Sequence, residues 1–337
     1  MNVFELTRAL VDIESITDNE EQVGLFLQAH LSALAARTGG RVECMDVGAR
    51  RFNVLAYWDT PVVTLSTHMD TVPPFFPSSE NDDFISGRGA CDTKGIISAM
   101  IHAVTGLVEQ GVRNTGLLFV VGEERNSAGA FVAAQNPRGS LYLINGEPTE
   151  NRLALGSKGA LRYVIEAHGR MAHSAYPELG ESAIEKLLDA LENVRRIPLP
   201  LDPVLGPSTL NIGTLAGGRA PNVIPDAARA EVFVRLVEDG NSTRRLVEKA
   251  VAGKAVANEV LCIPAVRLGA LPGIETTVVS FTTDIPAFGG KWGEPYLFGP
   301  GSIHVAHTAE ERIPKKQLLE AVALYQRMVR QLQAMNS

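Results

Sequence analysis

Short apolar runs alternate with a longer amphipathic stretch in the first half of the chain. Runs of strand length occur at residues 52–58, 62–67, 117–121 and 141–145. Between the second and third runs, apolar residues recur at helical spacing from Ile96 to Val108 and stop before Gly111. This pattern predicts a helix with Asp92 as its N-cap. Strands that alternate with helices are typical of an α/β layer structure.

The pattern changes between residues 159 and 269. Strand-like segments lie at 160–167, 209–215 and 228–236, and helix-like segments lie at 181–195 and 242–252. We interpret this stretch as an inserted βαββαβ domain. Two apolar strands and a long final helix follow it, at 277–281, 295–298 and 315–335. The predicted organisation is a catalytic domain built from residues 1–158 and 270–337, interrupted by an insert at 159–269.

Length and apolar content agree with a two-domain plan. A chain of 337 residues exceeds the size at which one core usually stops growing, and 45% hydrophobic residues can fill two cores. No apolar run approaches the roughly 20 residues that a membrane-spanning helix needs. Residues 1–12 include Glu5, Arg8 and Asp12, which suits a folded helix better than a signal peptide. We therefore expect a cytoplasmic protein.

Charge and cysteine content narrow the class of ligand. A net charge of -7 gives no overall attraction for nucleic acid or an anionic membrane, so a small-molecule substrate is expected. The three cysteines are widely spaced and form no CxxC pair, which argues against a disulfide framework and a thiolate zinc site. Any metal would then be bound by histidine, aspartate and glutamate.

One histidine lies where open α/β sheets build their sites. His68 follows the run at 62–67, so its side chain is expected at the carboxyl end of a strand. Asp70 lies two residues on, and in an extended segment both side chains point to the same side. A carboxylate there can orient an imidazole for metal binding. Taken alone, the pair is more often part of a surface turn.

Acidic residues follow two other strand-like runs. Glu123 and Glu124 come after the run at 117–121, and Glu147 follows the run at 141–145. Each has an ordinary structural explanation, such as a solvated strand end or, for Asp92, a helix N-cap. Taken together, these clusters would converge on one edge of the sheet.

The segments that contain these residues resemble the metallohydrolase family of acetylornithine deacetylase, succinyl-diaminopimelate desuccinylase, aminoacylase and carboxypeptidase G. The matching stretches are STHMDTVP at 66–73, GRGACDTKG at 87–95, GEE at 122–124, GEPT at 146–149, and GPG at 299–301 followed by Ala306-His307 and Glu311. The resemblance covers nearly the whole chain. It implies a zinc-peptidase-like catalytic domain, with a central mixed sheet flanked by helices, and an inserted ferredoxin-like lid and dimerisation domain.

Carried over position by position, the resemblance implies a site for two divalent metal ions. The implied ligands are His68 and Glu147 for one ion, Glu124 and His307 for the other, and Asp92 as the bridge. Glu123 would be the general base, and Asp70 would orient His68. The family pattern selects His307 rather than His304, because its ligand follows Ala and precedes Glu by four residues. Nitrogen and oxygen ligands with two imidazoles suit zinc, with cobalt or manganese as alternatives.

The insert contains three more candidates. His173 resembles the lid histidine that reaches the substrate carbonyl, which in dimeric members comes from the partner subunit. Asn222 is expected to assist it, and Arg235 is expected to bind a substrate carboxylate. The predicted partners are a small substrate with a carboxylate and a second copy of the chain.

The predicted function is hydrolysis of the amide bond of an N-acyl amino acid, with Glu123 taking a proton from metal-activated water. Dipeptidase or carboxypeptidase activity stays open, because both reactions cleave an amide beside a carboxylate-bearing residue. A noncatalytic binding protein on this fold is a further alternative, but such a protein would be expected to lack ligands. The glycine spacing at 87–95 does not match a nucleotide-binding loop.

Overall fold

The computed structural model of the protein describes residues 1–336 and divides into two compact units. The first unit comprises Met1–Leu155, Leu268–Thr277 and the chain from Thr283 onwards, and the second comprises Gly156–Arg267 and Val278–Thr282. The helices are α1 (Val3–Val11), α2 (Glu21–Thr38), α3 (Gly95–Glu109), α4 (Ala128–Gln135), α5 (Ala183–Arg195), α6 (Asn241–Val251), α7 (Ile285–Phe288) and α8 (Lys315–Ala334).

The strands are mostly short. They are β1 (Arg41–Gly48), β2 (Arg51–Trp58), β3 (Val63–His68), β4 (Ser79–Glu80), β5 (Phe84–Ser86), β6 (Thr115–Val120), β7 (Tyr142–Asn145), β8 (Leu153–Ser157), β9 (Gly159–His168), β10 (Ala172–His173), β11 (Leu201–Asp202), β12 (Gly206–Pro207), β13 (Thr209–Gly217), β14 (Val223–Ile224), β15 (Ala227–Leu236), β16 (Val256–Ile263), β17 (Val266–Arg267), β18 (Thr276–Val279), β19 (Glu294–Leu297) and β20 (Arg312–Pro314).

A six-stranded mixed sheet forms the centre of the first unit, in the order β1-β2-β6-β3-β7-β19. Strand β3 pairs in parallel with both β6 and β7, whereas β1 and β2 form an antiparallel edge. Every residue of β3 and β6 is buried, and neither strand alternates between apolar and charged residues as a half-exposed strand would. The predicted mixed sheet is confirmed.

Helices cover both faces of this sheet. Leu117 and Phe119 of β6 belong to a large cluster with α1, α2, α3 and α8, whereas Leu118 and Val120 face a smaller cluster with α4 and α7. This alternation follows from the two-residue repeat of a strand. The carboxyl ends of the parallel strands therefore reach one edge of a three-layered scaffold.

The prediction that Asp92 is a helix N-cap is wrong. Asp92 has an extended backbone, with φ -124° and ψ 84°, and the N-cap of α3 is Lys94. Gly89, at φ +82°, turns the chain beforehand, and a Cβ there would lie 2.7 Å from the methyl group of Thr71. The spacing of apolar residues gives no sign of this irregular turn, so the predicted helix begins too early, at Asp92 instead of Gly95.

The second unit is a two-layered α/β domain. Its four-stranded antiparallel sheet has the order β13-β15-β9-β16, and α5 and α6 lie on one face of it. Alternate residues of β9, such as Leu161 and Ile165, are fully buried under these helices. Numbered within the insert, the strand order is 2-3-1-4, which is the predicted ferredoxin-like arrangement.

No helix within residues 1–336 has the combination of length and apolar character that spanning a membrane requires.

Candidate metal centre

His68 meets Asp92 at the carboxyl end of β3. The buried imidazole places Nε2 3.0 Å from Asp92 Oδ1. On the opposite side of the ring, Nδ1 donates a hydrogen bond to the backbone carbonyl of Asp70 at 3.0 Å, and the Asp70 carboxylate lies 3.5 Å away. This contact fixes the ring, so that Nε2 is the nitrogen available to a metal ion.

His307 meets the other oxygen of Asp92. Its Nε2 lies 3.2 Å from Asp92 Oδ2 and 3.0 Å from Glu124 Oε1. Asp92 thus lies between two imidazoles with one carboxylate oxygen directed at each. This is the arrangement that a carboxylate bridging two metal ions needs. One ligand atom each from His68, Asp92 and Glu124 lies within 4.8 Å of the others.

Glu147 lies in the turn after β7 and is buried. Its Oε1 has no hydrogen-bond partner among the residues that the structure describes. Burial raises the pKa of Glu147 well above its ordinary value, and the carboxylates of Glu123 and Asp92 add to this, whereas His68 opposes it. A buried carboxylate oxygen without a proton donor is costly unless a cation binds it.

The carboxylates of this centre stabilise positive charge. Burial alone would lower the pKa of His68, but its hydrogen bonds to Asp70 and Asp92 raise it well above the usual value. The hydrogen bonds of His307 to Asp92 and Glu124 raise the pKa of His307 to about 10. The positions next to both carboxylate oxygens of Asp92 therefore favour a cation. The donor set and its charge fit two divalent metal ions.

Asp70 does more than the orientation of His68 that the sequence predicts. Its Oδ1 accepts hydrogen bonds from the backbone N–H groups of Gly122 at 2.9 Å and Glu123 at 3.1 Å. Its Oδ2 accepts the Glu124 N–H at 3.2 Å and the Thr17 hydroxyl at 2.8 Å. One buried carboxylate therefore holds the whole turn that contains the two glutamates.

The side chain of Glu123 is not held in place by a hydrogen bond. In the described chain its carboxylate accepts no hydrogen bond, although its N–H is fixed by Asp70. Burial raises the pKa of Glu123 well above its ordinary value, with further contributions from the Asp284 and Glu124 carboxylates and an opposing one from His68. A carboxylate beside the ligands, with a raised affinity for a proton, is suited to proton transfer.

Asp284 is a buried carboxylate near this centre that sequence reasoning missed. Burial, followed by the charges of neighbouring carboxylates, raises the pKa of Asp284 to about 7, although the Ser127 hydroxyl and His68 favour its charged form. Neither of its oxygens has a hydrogen-bond partner of good geometry in residues 1–336. Its only sequence signal is a place before the short helix α7, where an aspartate looks like an ordinary cap.

Two candidates of the second unit lie side by side. Strand β10 pairs His173 with Val223 of β14, and the Ser174 N–H donates to the Asn222 carbonyl at 3.0 Å. Nδ1 of His173 accepts the N–H of Ala175 at 3.1 Å. The exposed ring of His173 therefore carries its proton on Nε2, which is the donor that an oxyanion needs.

Arg235 lies on β15 of the second unit. Its guanidinium group stacks over the ring of Phe233, 4.8 Å from the centroid, and burial lowers its pKa. Within the described residues no carboxylate lies within 4.0 Å of it. An unpaired, half-buried guanidinium can bind a carboxylate in two-point fashion.

Two histidines and two glutamates near one shared aspartate, at the carboxyl ends of strands in a mixed sheet, fit the class of dinuclear metallohydrolases. Residues 64–331 match the family profile described as Peptidase family M20/M25/M40. The chain is 39% identical over 366 residues to a probable carboxypeptidase of Aspergillus niger, covering 96% of this chain and 88% of that protein. The protein therefore belongs to peptidase family M20 and is a hydrolase of peptide or amide bonds.

Solved structures share the fold. The aminopeptidase PepT from Bacillus cereus superimposes with a TM-score of 0.80 at 19% identity, covering 98% of each chain. The YXEP protein of Bacillus subtilis, described as a dinuclear metal-binding peptidase of the M20 family, superimposes with a TM-score of 0.71 at 16% identity, covering 97% of this chain and 96% of its own. At these identities the likeness shows the fold alone.

Proposed function

We propose that the protein is a two-metal carboxypeptidase that releases an amino acid from the carboxyl end of a small peptide. The observation that carries the proposal is the position of Asp92 between His68 and His307, with one oxygen toward each. Glu147 and Glu124 complete the two ligand sets. The dinuclear description of the B. subtilis family member supports the same metal content.

Two divalent ions in this centre would activate a water molecule and polarise the substrate carbonyl. Glu123 is the proton acceptor, because its carboxylate is beside the ligands and has no other partner in the described chain. Asp70 keeps Glu123 in place through the backbone of the turn. Once protonated, Glu123 can return the proton to the leaving amine. Zinc suits these ligands best, with cobalt and manganese as substitutes.

Arg235 and the curated relatives favour a substrate with a terminal carboxylate. The guanidinium has no acidic partner within the described residues, and the A. niger relative at 39% identity is named a probable carboxypeptidase. Hydrolysis of an N-acetyl or N-succinyl amino acid cleaves the same kind of bond, an amide next to a residue that bears a carboxylate. N-acyl amino acid deacylation is therefore the second candidate function.

His173 is the proposed oxyanion donor, because its Nδ1 already accepts a hydrogen bond and its exposed ring on β10 leaves Nε2 to donate. Asn222, on the adjoining segment, is proposed to assist it. We propose that His173 acts on the site of a second subunit in a homodimer, since the resemblance places the corresponding histidine there in dimeric members.

A substrate panel tests the proposed function. Dipeptides and tripeptides, N-acetyl and N-succinyl amino acids, and the C-terminal amides of all of them are assayed with zinc-loaded protein. The proposal predicts turnover of peptides with a free carboxylate and little turnover of their amides. Faster turnover of the N-acyl amino acids would establish the deacylase instead.

Arg235→Lys tests carboxylate recognition. It should raise KM for the free-carboxylate substrates at least tenfold more than for their amides, because a lysine loses the two-point contact. Arg229→Lys, on the same strand but exposed and paired with Glu231, is the matched control and should change neither. An equal effect of Arg235→Lys on acids and amides would remove Arg235 from substrate recognition.

A further inference from the structure

A buried ion pair lies next to the metal centre and contains none of its ligands. Arg88 Nη1 lies 2.6 Å from Glu311 Oε2, and the two side chains are only 2% and 1% exposed. Burying two opposite charges is expensive even when they pair well. Such a pair is weak evidence for stability alone, so its position requires another explanation.

The second oxygen of Glu311 holds the backbone at the bridging aspartate. Glu311 Oε1 accepts the N–H of Asp92 at 3.2 Å and that of Cys91 at 3.3 Å. In the other direction, the Gly87 N–H donates to the backbone carbonyl of Glu311 at 3.1 Å. Glu311 thus joins the segment that precedes α3 to the segment that contains His307.

Arg88 is itself held firmly. Its Nε donates to the Pro74 carbonyl at 3.1 Å, its N–H donates to the Phe76 carbonyl at 3.1 Å, and its guanidinium lies 5.0 Å from the centre of the Phe76 ring. The backbone of Arg88 and its guanidinium are thus both held by contacts that do not involve Glu311. Arg88 can therefore set the position of Glu311, rather than follow it.

His307 needs such an anchor. Its backbone has φ +63°, a conformation that persists in a non-glycine residue only where the surroundings enforce it, and its side chain is 49% exposed. The residues from His307 to Glu310 are exposed, and Glu311 is the next buried residue. The buried Glu311 is thus the fixed point from which the His307 segment extends.

We propose that Arg88 and Glu311 are positioning residues that set the distance between Asp92 and His307 for two metal ions. Glu311 fixes Asp92 through its backbone N–H, and it fixes His307 through the four-residue connection. Arg88 holds the Glu311 carboxylate in this position through the ion pair. This inference rests on the proposed two-metal function, because it concerns the geometry of that centre.

The two oxygens of Glu311 have different partners, which makes glutamine a poor replacement. In Glu311→Gln, one oxygen becomes an NH2 group, and this group must face either the Arg88 guanidinium or the backbone N–H groups of Cys91 and Asp92. Both alternatives place donor against donor. Glu311→Gln should therefore disturb the centre nearly as much as Glu311→Ala.

The test measures metal binding directly. Metal-free protein is titrated with Co²⁺ in competition with a chelator, and the visible absorption of the bound Co²⁺ is recorded. Glu311→Ala, Glu311→Gln and Arg88→Met should each weaken binding about 10- to 100-fold and alter the spectrum, as expected for residues that orient ligands. Leu332→Ala, a buried core position of α8, is the control for lost stability and should leave affinity and spectrum unchanged.

A double variant gives the sharpest readout. Arg88→Met combined with Glu311→Gln removes the opposing guanidinium, so the amide oxygen can face Cys91 and Asp92 again. It should bind Co²⁺ more tightly than Glu311→Gln alone. No recovery would contradict the separate roles of the two oxygens, and wild-type affinity and spectrum in all single variants would overturn the proposal. Absence of two bound ions in the wild type would instead refute the proposed function.

Discussion

At the residue scale, the adjacent glutamates of the turn after β6 are assigned different tasks. Glu124 Oε1 lies 3.0 Å from His307 Nε2, whereas the Glu123 carboxylate accepts no hydrogen bond within the described chain. The backbone N–H groups of both are held by Asp70. Asp70 thus orients the backbone of both glutamates, and the two residues differ only in what their side chains contact.

Because of this difference, replacing each glutamate by glutamine should have a different effect. Glu123→Gln should retain both metal ions and lose about 100- to 10,000-fold in kcat, because only proton transfer is removed. Glu124→Gln should instead weaken metal binding. Metal content by elemental analysis, measured beside kcat, separates them. Equal metal loss in the two variants would contradict the assignment of Glu123 as base and Glu124 as ligand.

Asp70 offers a second prediction at this scale. Asp70→Asn replaces one acceptor oxygen by an NH2 group that faces backbone N–H donors, so the turn should shift and kcat should fall about tenfold or more. Thr17→Val is the matched variant, since it removes only the hydroxyl contact to Asp70 and should have a much smaller effect. If kcat is the same in Asp70→Asn and Thr17→Val, Asp70 does not position the turn.

At the element scale, the strand-like runs of the sequence locate the central strands well, but they do not locate irregular turns. The runs at 62–67 and 117–121 lie within two residues of β3 and β6 at each end, because both strands are fully buried. No element is predicted above for α2, in which Leu25 is 44% exposed although Val23 and Leu27 are fully buried, so that apolar residues are not confined to one face. The backbone of Asp92 depends on a turn at Gly89 that spacing does not encode.

The short strands β10 and β14 carry a prediction of their own. If His173 completes the site of the partner subunit, an inactive His173→Ala variant mixed with an inactive Glu123→Gln variant should regain activity after subunit exchange. One site of each heterodimer then contains both residues. Heterodimers that form and remain inactive would exclude action between subunits, and full turnover by His173→Ala alone would exclude any catalytic role.

At the scale of the whole molecule, the sequence predicts the ligand types but not the contacts that hold them. The five ligand candidates stand out because each lies beside a recognisable motif. Arg88 and Glu311 also lie in such motifs, but the sequence does not show that they pair, since the two residues are 223 positions apart and only the folded chain brings them together. Asp284 was missed for the same reason: its proximity to Glu123 exists only in three dimensions.

The central claim is that hydrolysis depends on two metal ions held around Asp92. The most direct test removes metal with a chelator and then returns Zn²⁺ in measured equivalents, while bound metal and peptide hydrolysis are recorded together. We predict that activity disappears on chelation and is fully restored when about two ions are bound per chain. Full activity in protein that contains no transition metal would contradict the account.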